Sequence, residues 1–277
     1  MTGKTAQTEN ISNLDGRSIP APPLTGAATM ALRSLLVLIA AGILVWAGIG
    51  AEVAPVRLFS SWSEMQDFIG AFASPEFSNW KEVGEQMLTT VQIAIWGSLL
   101  AVCGAVPFGV LSSSNLTPAW LCQPVRRLMD AARAINQMIF GMFFIAAVGL
   151  GPFAGVLAIF VHTLGTLAKL FSEAVEAIDP RPVEGIRATG AGRIEEIAFG
   201  VIPQVIPLWV SYSLYRFEVN VRAATVLGMV GAGGIGFMLW DSMRSFDYDR
   251  AATIILAILV TVIAIDQLSS HIRQRIV

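Results

Sequence analysis

The sequence predicts an all-α integral membrane protein with about six transmembrane helices and a charged elbow reaching into the cytoplasm between the fourth and fifth. Three observations carry this. Hydrophobic residues make up 55% of the chain and charged residues only 14%, with a mean hydropathy of +0.65, a balance rare in water-soluble domains. Several windows reach the roughly 20 mainly apolar residues that a span needs. A charged stretch, 173–202, lies between two of these windows and must sit in water.

Met1–Thr29 is polar and rich in Ser, Thr, Asn and Pro, which predicts a cytoplasmic tail without a core of its own. It does not read as a signal peptide, because the apolar run starts late and continues to spanning length without a cleavage site. Met30–Gly50 is the first span, peripheral to the other five. The segment 51–85 carries Glu52, Glu64, Asp67, Glu76, Glu82 and Glu85 against Arg57 and Lys81, so it faces outward. Gln86–Leu111 is the second span. Arg126, Arg127 and Arg133 with only Asp130 mark the next connection as internal. Ile135–Phe171 holds two spans broken at Gly149-Leu150-Gly151-Pro152, read as a simple hairpin in preference to helix ends aimed at an anion. Ile202 to about Val226 and Ala251–Gln267 complete the set. Arg273 and Arg275 place the C-terminus inside. Cys103 and Cys122 are too few and too far apart to suggest a disulfide framework.

The elbow is the most informative stretch. Arg181–Thr189 and Arg193–Phe199 each suit a short helix, and Gly190-Ala191-Gly192 supplies a turn in which a glycine takes positive φ. Pro203 opens the following helix, where its missing N–H is harmless. Asp179, Arg181, Glu184, Arg187, Arg193, Glu195 and Glu196 make this a water-exposed docking elbow.

Other motifs exclude chemistry. Gly231-Ala232-Gly233-Gly234-Ile235-Gly236 matches a dinucleotide fingerprint literally but follows a membrane span without a βαβ context. It is read instead as close helix approach or an irregular turn lining a cavity. Gly3-Lys4-Thr5 has only two residues before it and cannot complete a phosphate-binding loop. His162 and His271 are the only histidines, and His162 reads as bonded to a neighbouring helix. No metal site and no triad are offered, so neither zinc nor hydrolytic catalysis is expected.

Arg216, Glu218, Asn220 and Arg222 form a polar cluster within an apolar span. Glu218 and Arg222 are four apart and suit an ion pair. Arg216 points elsewhere on the helix. Two readings stay open: salt bridges between helices, or a guanidinium presented to an anionic solute, for which its two-pronged donor geometry is apt.

The elbow resembles the EAA loop of permease subunits in binding-protein-dependent ABC importers, whose pattern is Glu-Ala-Ala, three residues, Gly, nine residues, Ile, any residue, Leu-Pro. Glu184, Gly190 and Pro203 fall in register, with Gly185-Ile186, Gly200 and Ile202 as departures. The blocks Ala147–Ala158, Lys169–Pro180, Pro182–Gly190, Ile202–Pro207, Ser213–Glu218 and Ala224–Gly236 resemble, more specifically, the permease of phosphonate/phosphite importers. One departure is Gln137, after Arg133-Ala-Ile-Asn136, where that family commonly has Glu.

The resemblance implies a type I importer core at 86–277 in a bacterial inner membrane, with 51–85 periplasmic. Glu184, Gly185, Arg187, Gly190 and Pro203 would couple to an ATP-binding subunit dimer. Arg216, Glu218, Asn220, Arg222, Asn136 and Gln137 would line the solute path, and Gly228, Gly231, Gly233, Gly234 and Gly236 the gate. The implied partners are that ATPase, a periplasmic solute-binding protein, a second copy of the chain and membrane lipid, but no nucleic acid. This chain would bind no cofactor, ATP and Mg²⁺ being held by the ATPase. A methionine or other small-solute permease is the nearest alternative. An intramembrane enzyme lacks an acid–base set, and an ATP-independent channel leaves the elbow without a role.

Overall fold

A computed structural model describes residues Ala27–Ile276. The Gly3-Lys4-Thr5 run and nearly all of the polar tail lie outside them. The chain divides into two compact units, Met1–Met65 and Gln66–Val277, and the described residues of both are helical, without a strand.

In the first unit, α1 (Ala27–Gly50) is exposed along nearly all of residues 30–50 and apolar there but for Arg33 and Ser34 near its start, the surface expected of a helix standing in lipid. Its 24 residues extend about 36 Å. The outward-facing segment predicted at 51–85 contains two short helices, α2 (Pro55–Ser60) and α3 (Trp62–Ala71), the latter running into the second unit. Pro55 opens α2 because a first-turn residue needs no intrahelical N–H partner.

In the second unit, α4 (Trp80–Leu111) begins six residues before the predicted Gln86 boundary. It runs parallel to α7 (Pro152–Glu176). The two approach closely because glycines on α4 meet larger side chains on α7: a Cβ at Gly97 would lie 2.7 Å from Ile159, at Gly104 2.8 Å from Leu164 and at Gly109 2.7 Å from Phe171. Such small-to-large packing gains dispersion energy, the main attraction left when lipid replaces water.

Between them, α5 (Ala119–Ala134) and α6 (Gln137–Val148) meet at a bend of 89°. Two full spans are predicted over Ile135–Phe171, and the structure corrects the first of them. With 12 residues, α6 is about 18 Å long, short of the roughly 30 Å hydrocarbon layer. α5 is an amphipathic arm that crosses α7 at Gly165, where a Cβ would be 2.7 Å from the Met129 carbonyl oxygen. The corner is built from polar groups: the Asn136 side chain accepts from Met138 N–H at 2.9 Å, and His162 Nδ1 donates to the Ile135 carbonyl at 2.9 Å. The break before α7 is the predicted hairpin. Gly149 and Gly151 take φ of 94° and 137° there, and Gly151 N–H is bonded to the Gly231 carbonyl at 3.1 Å.

Beyond α7 come α8 (Pro180–Ala188), α9 (Arg193–Glu195), a π-helical turn over Glu196–Val201 and α10 (Ile202–Leu227). A second π-helical turn, Gly228–Ala232, leads to α11 (Ile235–Arg244) and α12 (Tyr248–Ile276). Five helical stretches are long and apolar enough to cross a membrane, and the bent α5–α6 pair makes a sixth if taken as one span.

Two apolar clusters stack along the bundle. One gathers Ile93, Ile159, Leu227, Ile235 and Ile254. The other gathers Leu167, Phe171, Val205 and Trp209 with Val183 of α8, so the elbow is rooted in the core. Phe171 and Trp209 stack with centroids 4.6 Å apart, and Trp209 Nε1 donates to the Phe171 carbonyl at 3.3 Å.

Candidate functional site

Asp179 caps α8, its carboxylate accepting from Arg181 N–H at 3.0 Å. Gln204, at the start of α10, accepts from Asp179 N–H at 3.1 Å and donates to the Asp179 and Gly200 carbonyls at 3.2 and 2.6 Å. A Cβ at Gly200 would stand 3.1 Å from the Val183 Cα, so this departure from the EAA pattern lets the two limbs touch. Gly190 turns the chain at φ 83°. Glu195 reaches back to the Gly192 N–H.

Arg187 donates through Nε and Nη2 to the two carboxylate oxygens of Glu196 at 2.8 and 2.9 Å. These bonds, and then the carboxylate charge, hold the Arg187 pKa above its ordinary value. Arg187 therefore clasps the elbow together. Glu184 and Gly185 are exposed at its surface, and no hydrogen bond engages the Glu184 carboxylate among the described residues. Ile194 and Phe199 are also presented, 83% and 70% exposed.

The second limb differs from its prediction. Arg193–Phe199 is not a separate helix but runs on through the π-helical turn into α10 as one continuous stretch to Ala232. Pro203 sits in the first turn of α10. Its ring nitrogen cannot donate to the carbonyl of Phe199, and the widened π turn lies immediately before it.

Along α10 the polar cluster is rearranged. The predicted Glu218–Arg222 pair does not form, because α12 supplies a nearer partner to each: Glu218 pairs with Arg273 and Arg222 with Asp266, the latter at 3.3 Å. Both are bridges between helices. Asn220 is 0% exposed. It accepts from Thr163 Oγ1 at 3.1 Å and donates to Ser98 Oγ at 2.9 Å, tying α10 to α7 and α4 rather than facing a path. Asn136 is spent on the α6 cap. Arg216 has no carboxylate partner among the described residues, and its buried Nε, like the buried Oε1 of Gln137, lacks any hydrogen-bond partner.

At the far end, Gly231, Gly233 and Gly234 adopt φ of 107°, 75° and 76°. A Cβ at Gly234 would fall 2.4 Å from Thr90 Oγ1, and one at Gly236 1.8 Å from the Thr225 carbonyl oxygen. Gly228 packs on Gly236 in the same knot. Gly233 and Gly234 line a cavity of about 230 Å³ with Glu82, Gln86, Asp241 and Arg250, and Arg250 pairs with Glu82 at 3.3 Å. The fingerprint-like glycines thus make an irregular turn and not a nucleotide cradle. Missed by sequence reasoning were α11 and the partners Asp266 and Arg273. Their polarity at the end of an apolar run was legible, but their pairing across α10 and α12 was not.

A bundle of long apolar helices, bound by interhelical polar bonds and bearing a braced elbow, defines a polytopic membrane protein. The chain belongs to the family of binding-protein-dependent transport system inner membrane components, whose sequence pattern matches residues 105–277. Members are transport components, and this chain is a transport subunit, not an enzyme.

It is 38% identical over 231 residues to the phosphate-import permease protein PhnE of Mycolicibacterium smegmatis, covering 82% of this chain but 43% of that relative. The chain therefore spans less than half of that protein's length. It is 39% identical over 206 residues to the phosphite transport system permease protein PtxC of Stutzerimonas stutzeri, covering 74% of this chain and 75% of the relative. A putative cryptic phosphonate transport system permease protein, PhnE2 of Escherichia coli, is 59% identical over 122 residues, 44% of this chain and all of that one. Among solved structures, the inward-facing methionine ABC transporter MetNI matches with a TM-score of 0.63 at 18% identity, over 70% of this chain and 96% of that one. That likeness establishes the type I importer fold.

Proposed function

We propose that this chain carries phosphonate, phosphite or a related reduced-phosphorus anion across the bacterial inner membrane. The naming of its relatives as phosphite and phosphonate permeases supports the substrate class. The unengaged Glu184 on a braced elbow supports coupling to a separate ATPase pair, which holds the ATP and Mg²⁺. A periplasmic binding protein delivers the solute to the glycine-turn end, and a second copy of the chain completes the path. The elbow and both termini lie in the cytoplasm. ATP-driven closure of the ATPase pair moves the elbows, shifting the permease between states for which the ATPase has different affinity. Arg216, the one charge of the cluster without a carboxylate partner among the described residues, together with Gln137, is the contact offered to the anion.

The test is uptake of labelled phosphite and a simple alkylphosphonate by phosphorus-limited cells carrying the complete transporter, with and without this chain. Loss of either on deletion supports the reading. Unchanged uptake of both, with lost methionine uptake, replaces the substrate class while leaving the architecture.

A further inference from the structure

We propose that Arg193 is a strut that makes the elbow and the connection between α4 and α5 move as one piece. The idea rests on the reading of the elbow as the ATPase contact. Arg193 Nη2 donates to the Leu116 carbonyl at 2.8 Å, across 77 positions of sequence. It is the one donor to that carbonyl among the described residues.

The connection that receives it is itself clamped. The Ser112 carbonyl gathers Arg126 Nε at 2.6 Å, Ser172 Oγ at 2.9 Å and Cys122 Sγ at 3.2 Å. Ser114 donates from both its N–H and its Oγ to Glu176 at 2.7 Å, and Arg126 pairs with the same carboxylate. Asn115 Nδ2 donates to the Val175 carbonyl at 2.8 Å. A segment bound this densely to the ends of α5 and α7 cannot shift without them.

A pull on the elbow reaches α10 through the unbroken chain. It reaches α7 through the short link to α8 and the packing of Val183, and the connection between α4 and α5 through Arg193. Its neighbour Ile194 is 83% exposed, so no apolar packing holds the limb at that point, and its anchors are the Arg193 bond and the covered Glu196 three residues on. Arginine suits the role because its long stem and planar fork reach a carbonyl in a fixed direction, which a lysine ammonium does less well.

The experiment uses the full transporter in lipid nanodiscs, with labelled chain diluted into excess unlabelled chain so that only distances within one chain are read, the exposed Cys103 replaced and spin labels at Trp120→Cys on α5 and Ile194→Cys on the elbow. The expected result is one narrow distance distribution, the same without nucleotide and in the ATP-trapped state. Adding Arg193→Ala should broaden and shift it, and should lower uptake per ATP hydrolysed by about 5-fold or more while the ATPase stays bound. Arg193→Lys should recover part of the loss. A distance that changes between the two states with Arg193 in place overturns the strut. So does wild-type coupling in Arg193→Ala. Loss of the ATPase from that variant overturns it too, by making Arg193 a docking contact. Docking is checked separately, by ATPase capture on the wild-type and Glu184→Ala chains. If the wild type captures none, the elbow reading fails, and the distance comparison on the permease alone still decides the strut.

Discussion

Arg187 and Glu196 face each other across the elbow with two parallel hydrogen bonds, 2.8 and 2.9 Å long. The arginine offers its side chain to water and the carboxylate is largely covered, their side chains being 65% and 11% exposed. An internal clasp of this kind fixes the angle at which Glu184 is presented. Arg187→Ala and Glu196→Gln should each leave the protein in the membrane and lower uptake per ATP hydrolysed, and the double variant should be little worse than either single one. Additive losses in that cycle would show that the two residues act apart.

Glu184→Ala removes a carboxylate that no hydrogen bond engages, so folding should be untouched and ATPase capture weakened. Gly190→Pro asks φ to move from 83° to about −65° and deletes the N–H bonded to the Arg187 carbonyl at 3.0 Å. It should uncouple ATP hydrolysis from uptake. Transport at wild-type rate by either variant would take the elbow out of the mechanism.

The two bridges from α10 to α12 are unequal. Glu218 is covered, and Glu218→Ala strands Arg273, which should cost about 1–3 kcal/mol of stability. Arg222 and Asp266 are 47% and 42% exposed and 3.3 Å apart, a longer and less covered pair, so Arg222→Ala should cost less than Glu218→Ala. Thermal melts of the detergent-purified chains read the difference. An equal loss in both would contradict this ranking.

Glycines of the far turn differ in what surrounds them. Gly236→Ala drives a methyl group to 1.8 Å from a backbone oxygen and Gly234→Ala to 2.4 Å from Thr90, so both should lower the yield of folded protein several-fold. Gly185→Ala meets nothing within 4 Å and should fold normally. Western blots of membrane fractions suffice as the check.

Arg216→Ala removes a cation without orphaning an anion, so its protein level should match wild type while the KM for the anion rises. Arg216→Lys should recover part of the loss. Unchanged uptake by Arg216→Ala would return this arginine to a purely structural role.

Much of this was legible in the chain because lipid imposes a simple code: length and apolarity give the spans, and charge gives the ends. The elbow was legible for the same reason, since Glu184, Gly190 and Pro203 each have a local backbone or solvent requirement. The partners of Glu218 and Arg222 were not. An i, i+4 spacing identifies residues that share a helix face, but a neighbouring helix can offer a better-placed charge, and Asp266 and Arg273 lie 44 and 55 positions away from their partners. The bonds of Asn220 to Thr163 and Ser98 were not legible either, because a polar residue in a span fits a cavity or an interhelical bond equally well until the neighbours are known. The α5–α6 corner was hidden because the stretch 138–148 is apolar throughout, and hydropathy carries no direction.

That corner bears on how the protein is made. A 12-residue helix falls below the length at which a nascent segment partitions into a bilayer by itself. α6 is joined to α7 by the tight Gly149–Gly151 turn, and its Gly141 packs against Leu227 of α10, which is synthesised later still. During biogenesis α6 therefore enters lipid as one arm of a hairpin with α7, and a chain released from the ribosome after Gly149 would leave that arm at the membrane surface.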